Sequence, residues 1–311
     1  LSAIFDLNPK KSMLGYITTL VSFAAIFALF SLGLNLQWGF AGLVNFGHVA
    51  FMTLGAYTTV LLSLYGVPWF LAILAGAAVA GLLGLIIGST TLKLREDYLG
   101  IVTIGVSEMV QLVVNNTAGL TNGTNGVYGY PLPLANLVSV ELYPIILMVL
   151  ILLVLGVIYW QLEWLVRSPW GRVLKAIRED EEVVKAMGKN VFWYKLQAFT
   201  IGGSIGGLAG AFYAWQQTTI YPSNFSSLVT FQAWTIITIG GAGSNRGVLL
   251  GAVMFQLYNV LPRFLPQQIR PPDSERFAAL QLMLIGLTLI ILMMWRPQGI
   301  MGKKDELTLS R

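Results

Sequence analysis

The chain has 311 residues, 56% of them hydrophobic and only 11% charged, whereas soluble domains average about 25% charged residues; this balance excludes an ordinary soluble protein. There is no cysteine and a single histidine, His48, so disulfides, zinc thiolate centres and thiol catalysis are excluded together, and histidine chemistry has almost no material. The net charge of +5 is not read as nucleic-acid binding, because in a multi-pass membrane protein surplus Lys and Arg mark the loops retained in the cytoplasm.

Crossing the ~30 Å hydrocarbon layer takes about 20 apolar residues per helix. Nine apolar segments are expected, at roughly 14–36, 41–64, 68–92, 98–116, 143–165, 195–219, 229–242, 248–265 and 276–295. They predict an all-α polytopic membrane protein: one transmembrane domain over 1–311, with a cytoplasmic loop at 166–195 set into it. The first segment is too long for a secretory signal, and no small-residue cleavage site follows it. The seventh is short for a crossing and reads as a tilted helix or a re-entrant piece buried in protein. Gly66-Val67-Pro68, Tyr221-Pro222, Pro262, Pro266 and Pro271-Pro272 punctuate the gaps.

Lys and Arg set the orientation. The loops 117–142 and 220–228 contain neither and read as external. Lys93, Arg95, the 167–195 loop, Arg246, Arg296, Lys303, Lys304 and Arg311 read as internal. This places the C-terminus on the cytoplasmic side, and the composition reads as that of a bacterial plasma-membrane protein. Nine crossings put residue 1 outside and, with Leu1 in place of Met, an upstream span is expected. The competing count is eight crossings, with 41–54 or 229–242 re-entrant and the N-terminus inside.

Two glycine-broken stretches interrupt the apolar pattern. The early one is Trp38-Gly39-Phe40-Ala41-Gly42-Leu43-Val44-Asn45-Phe46-Gly47-His48; the late one is Gly240-Gly241-Ala242-Gly243-Ser244-Asn245-Arg246-Gly247. Paired breaks in the two halves of a transporter point to a midplane pathway, although two tight turns between helices would read the same way. His48 reads first as a packing or capping histidine, and its place after the break keeps a ligand role open. Glu108 lies in the fourth segment, where an acid at a helix centre costs about 2.5–3.5 kcal/mol on insertion scales. It is expected to face the bundle or a wet cavity, either functionally or hydrogen-bonded to Ser or backbone. Asn45, Gly47, Thr103 and Thr238, with Asn35, complete the candidate pathway lining. No other ionisable side chain lies well inside a span, which favours a neutral or zwitterionic solute. Trp160, Glu163 and Trp164 close the fifth segment at the inner face, where the tryptophans act as interfacial anchors, with no function assigned. The external 117–142 loop reads as a docking surface or as an ordered cap.

The 167–195 loop holds seven of the nineteen basic residues and the run Arg178-Glu179-Asp180-Glu181-Glu182. Val173, Ile177, Val184 and Met187 form one apolar stripe, and Gly188 with Lys189-Asn190 is a helix stop. One short amphipathic helix is therefore expected. Helices that lie on membranes are rich in Lys and Arg on their polar face; this one carries consecutive carboxylates, which favours a protein partner.

The loop resembles the coupling segment of ABC importer permeases, whose pattern is Glu-Ala-Ala, three residues, then Gly. Here it reads Glu182-Val183-Val184-Lys185-Ala186-Met187-Gly188, with Val at both Ala positions. Longer stretches resemble the branched-chain amino acid importer family, most closely the larger of its two permease subunits. They include Gly39-Phe40-Ala41-Gly42-Leu43-Val44-Asn45-Phe46-Gly47-His48, Tyr98-Leu99-Gly100-Ile101-Val102-Thr103, Thr121-Asn122-Gly123-Thr124-Asn125-Gly126, residues 172–187, Gly206-Gly207-Leu208-Ala209-Gly210-Ala211 and Trp295-Arg296-Pro297-Gln298-Gly299. In effect the resemblance spans 31–300.

What the resemblance implies is a permease subunit with no cofactor of its own. Its partners would be a homologous second permease, two cytoplasmic ATPase subunits carrying ATP and Mg, a periplasmic or lipid-anchored binding protein, and membrane lipid. Contact with the ATPase would fall on Arg178, Glu179, Asp180, Glu181, Glu182, Val184, Ala186, Met187 and Gly188. The chain has no G-x-x-x-x-G-K-[ST] phosphate loop, so the expectation is a transport subunit and not an enzyme. Neutral or branched-chain amino acids are the expected solute, with urea or a short amide as the alternative. An ion-coupled secondary transporter is a further rival, and it leaves the 167–195 loop unexplained.

Overall fold

The computed structural model describes residues 9–92, 96–135, 138–260 and individual positions between 279 and 302. The ninth predicted segment falls largely outside the described residues, as do positions 93–95 of the basic linker, the prolines at 262, 266, 271 and 272, and the tail from 303 onward.

Apolar stretches bounded by Gly, Pro and Asn become helices, taken here in chain order. They are α1 (Pro9–Asn35), α2 (Val49–Leu64), α3 (Trp69–Thr91), α4 (Glu96–Asn116), the single turn α5 (Ala118–Thr121), α6 (Tyr143–Arg167), α7 (Pro169–Glu179), α8 (Glu181–Ala186), α9 (Val191–Gln217), α10 (Ser227–Gly240) and α11 (Asn245–Val260). Two short strands, β1 (Val127–Tyr128) and β2 (Thr219–Ile220), pair antiparallel with Val127 opposite Ile220.

By length and apolarity, four described helices can cross a membrane: Met13–Phe40, Trp69–Thr91, Tyr98–Asn116 and Tyr143–Arg167. A fifth arises only if α10 and α11, bent by 116°, count as one broken span. Nine full crossings are therefore not reproduced among the described residues. Two expectations change for a physical reason. The predicted 41–64 segment is helical only from Val49, because Gly42 (φ +72°) turns the chain out of the helix. The short 229–242 segment is the first arm of the bent pair, and Gly241 (φ +110°) and Gly243 (φ +76°) form the corner.

The centre of the bundle is α9, packed against α1, α2 and α3. Its buried face is built from small residues, among them Gly202, Gly203, Gly206, Gly207, Ala209, Gly210 and Ala211, which let backbones approach closely. A Cβ on Gly207 would lie 2.5 Å from that of Ala80, and one on Gly210 would collide with the Met52 carbonyl. Phe30, Phe51, Phe199, Phe212 and Trp215 fill the remaining core.

The outer helices are the reverse. Leu74, Leu82 and Ile86 of α3, Ile101, Met109 and Leu112 of α4, and Val149 and Leu153 of α6 are all exposed. Apolar surface of this extent suits lipid or a partner helix, not water. The 117–142 loop is tied down where it is described: β1 pairs with β2, and Tyr130 Oη donates to the Ala214 carbonyl at 2.5 Å.

Candidate functional site

The two glycine-broken stretches, more than 190 residues apart, are in contact. After Asn35 the helix α1 widens into a π-helical turn, Leu36–Phe40, a distortion common at functional positions. Gly39 sits at its crowded point: a Cβ there would collide with Asn35 Oδ1 and lie 2.5 Å from the Gly243 nitrogen. The Asn35 side chain then joins the halves. Its Oδ1 accepts from Gly243 N at 3.0 Å, and its Nδ2 donates to Asn245 Oδ1 at 3.1 Å. Asn245 Nδ2 donates in turn to Glu163 Oε2 at 3.2 Å, and Arg167 Nε donates to Glu163 Oε1 at 3.0 Å. The early break, the late break and the end of α6 thus share one polar chain.

A second network follows the break. Asn45 Nδ2 donates to Gln37 Oε1 at 2.7 Å, and Gln37 Nε2 donates to the Phe199 carbonyl at 2.8 Å. Asn45 Oδ1 accepts from Gly47 N at 2.9 Å, and the Asn45 carbonyl accepts from Trp234 Nε1 at 3.1 Å. His48 is fully buried. Its Nε2 lies 3.2 Å from the Phe30 carbonyl, and its ring occupies the notch left by Gly33 and Gly206, where a Cβ would come within 3.2 and 3.1 Å of Nε2. These contacts seat His48 among α1, α2 and α9.

The remaining pathway candidates fall at separate places. Buried Thr103 accepts from Phe46 N at 3.1 Å and donates to the Gly100 carbonyl at 2.8 Å, while a Cβ on Gly47 would collide with the Thr103 carbonyl; α4 and the break are keyed together there. Thr238 Oγ1 donates back along its own helix to the Trp234 carbonyl at 2.8 Å. Glu108 is exposed on this chain and not turned into a buried cavity; its Oε1 accepts from Ser227 Oγ at 2.6 Å, linking α4 to α10.

The loop differs from its expected form. One continuous amphipathic helix is replaced by α7 and α8, broken at Asp180. The Asp180 carboxylate accepts from the backbone nitrogens of Glu182 and Val183 at 3.0 and 3.1 Å, and a cap bound this way starts a new helix. Glu181 and Glu182 in the first turn of α8 suit its positive end. The break rotates the predicted stripe: Leu174, Ile177 and Val184 are buried, while Met187 is 72% exposed. Beyond α8, Gly188 (φ +75°) donates to the Lys185 carbonyl and Lys189 to the Val184 carbonyl, at 2.9 and 3.3 Å, the paired bonds of a Schellman stop.

The acidic run is also partly consumed inside the protein. Glu181 forms an ion pair with the buried Lys195 and lies 3.0 Å from Lys185 Nζ. Partial burial works to raise its carboxyl, and the hydrogen bonds and charges of Lys195 and Lys185 outweigh that and hold it below the ordinary range. Arg178 turns inward: Nη1 donates to the Gly39 carbonyl, and its Cγ would lie 3.2 Å from a Cβ on Gly42. Of the nine candidate coupling residues, Glu179, Asp180, Glu182, Ala186, Met187 and Gly188 are exposed, Asp180 while capping α8; exposed Val183, which stands in the quoted motif, and exposed Trp193, which the sequence pattern does not single out, join them. Val184 holds α8 against the bundle instead of facing out.

Helices long and apolar enough to cross a bilayer, with two broken helices meeting at one junction beside a capped polar loop, define the class: a multi-pass membrane protein. The chain belongs to the branched-chain amino acid transport system permease family, whose model matches residues 16–293. It is 31% identical over 299 residues to the high-affinity branched-chain amino acid transport system permease protein LivM of Salmonella typhimurium, covering 89% of this chain and 68% of that one. It is 27% identical over 330 residues to the probable branched-chain amino acid transport permease protein LivM of Methanocaldococcus jannaschii, with 94% and 95% coverage. It is also 26% identical over 294 residues to the nucleoside ABC transporter permease protein NupC of Lactococcus lactis, with 85% and 87% coverage. No solved structure matches the chain.

Proposed function

We propose that this chain is the permease subunit of an ATP-driven importer that moves neutral or branched-chain amino acids into the cell. In this reading α7 and α8 seat on a cytoplasmic ATPase subunit. A homologous permease completes the pathway, two ATPases carry ATP and Mg, and an external binding protein delivers the solute.

The observation that carries the reading is the bond from Arg178 to Gly39. It ties the loop to the π-helical turn, and Asn35 ties that turn to the α10–α11 corner. Closure of the ATPase pair displaces α7 and α8. Arg178 passes the displacement to Gly39 and Gly42, and the two broken helices re-pack around Asn35. The exposed side chains Val183 and Met187 are the apolar contacts such a seat needs.

The solute class is read from the polar groups at the early break. The buried polar side chains around the break are amides, hydroxyls and one imidazole, namely Asn35, Gln37, Asn45, Thr103 and His48. A charged solute would require an opposite charge, whereas a zwitterion with an apolar side chain does not. The nucleoside permease among the relatives is the specific reason to carry a second reading, in which the solute is another small neutral molecule.

The test is uptake into proteoliposomes holding the assembled transporter with ATP inside, offered leucine, a nucleoside and urea in parallel. ATP-dependent leucine uptake that disappears on deleting residues 179–188 is expected. Intact transport after that deletion refutes the coupling role, and uptake driven by an ion gradient without ATP refutes the class of transporter.

A further inference from the structure

A cavity of about 350 Å³ opens at the end of the bundle that carries α7 and α8. It lies between the last turn of α6, α7 and the α10–α11 corner. Arg167, Lys175 and Arg246 line it, with Glu163 as the single carboxylate among the lining residues. Glu163 is already committed to Arg167 and Asn245. Lys175 Nζ lies 5.5 Å from the Phe40 ring centroid, and neither it nor Arg246 has an ion pair among the described residues. Two cations without counter-ions among the described residues therefore share one concavity with a charge-balanced Arg167.

Two further features point the same way. Ser244, Asn245 and Arg246 bring the N-terminus of α11, a 16-residue helix, to the cavity wall, where the helix presents its positive end to an anion. Trp160 and Trp164, 68% and 71% exposed, stand on α6 within two turns of Arg167. Exposed tryptophans on an apolar helix mark the headgroup level, and basic pockets between membrane helices at that level take phosphate headgroups.

We infer that this cavity is a binding site for a phosphate-bearing anion, held by Lys175, Arg246 and the α11 N-terminus, with Arg167 oriented by Glu163. The phosphate would come from an anionic lipid of the adjoining leaflet or from a soluble phosphate. Either source would bridge α7 to the α10–α11 corner and stiffen that end of the bundle. This inference does not depend on which solute the protein carries.

The experiment is native mass spectrometry of the full chain in detergent, titrated with phosphatidylglycerol or phosphatidylcholine, alongside thermal melts in inorganic phosphate against chloride at matched ionic strength. For a lipid source, the wild type retains phosphatidylglycerol over phosphatidylcholine, and Lys175→Gln with Arg246→Gln lowers retention about tenfold or more. For a soluble source, inorganic phosphate raises the melting temperature of the wild type and not of the double variant. The charge-conserving pair Lys175→Arg with Arg246→Lys retains the effect in either case. Three results overturn the inference: no preference and no shift in the wild type, equal binding by the double Gln variant, or a charge-conserving pair as defective as the Gln pair.

Discussion

Arg178 and Asn35 each hold two separate elements together through one polar side chain. A hydrogen bond from a charged donor contributes about 1.5–3 kcal/mol, and under the proposed function the bond from Arg178 to Gly39 is the link between the loop and the π-helical turn. Arg178→Ala is expected to lower the ratio of solute moved to ATP hydrolysed by about tenfold or more in the assembled transporter, with hydrolysis persisting; coupled transport and hydrolysis assays measure both. Asn35→Ala acts differently. It leaves the Gly243 nitrogen and the buried Asn245 Oδ1 without the partner Asn35 supplies, at a cost of about 1–3 kcal/mol, and a lowered melting temperature should report it. Glu181 sets a pH dependence. Its folded carboxyl lies below the unfolded value of 4.5, so its stabilisation is complete above that value and fades as pH falls through the folded one. Glu181→Gln should flatten the acid limb of melting temperature against pH, and an unchanged limb would show that the pair with Lys195 contributes nothing. Glu163 and Asn245 could not be recognised from the sequence, because each looks like an ordinary helix-end residue until the fold places them 3.2 Å apart.

At the scale of elements, the loop is two capped helices and not one amphipathic rod. Losing the Asp180 cap costs about 1 kcal/mol; Asp180→Ala should speed amide exchange across 181–187 while α9 stays protected, as hydrogen-exchange mass spectrometry can follow. The signal for this break was present in the sequence: Asp followed by two glutamates is a good helix start. It was masked by the apolar spacing from Val173 to Met187, which continues across it. The glycine breaks were legible as interruptions, since Gly39, Gly42, Gly241 and Gly243 cluster where apolar periodicity fails. That they pack against each other was not legible, because no local pattern records a contact between residues 39 and 243.

At the scale of the molecule, a helix of small residues sits inside and helices of large apolar residues face outward. Gly207→Leu should prevent α9 from seating between α2 and α3, and loss of the monodisperse peak in size-exclusion chromatography would show it. Survival of that peak would mean α9 can shift without cost. Membrane class, helical content and the charged loop follow from the sequence alone, because composition and apolar run length determine how a chain partitions between water and lipid. The tertiary structure decided which breaks meet, which carboxylates are already paired and which side of the loop remains free. Those outcomes depend on distances between residues far apart in the chain, and only the packing around α9 sets them.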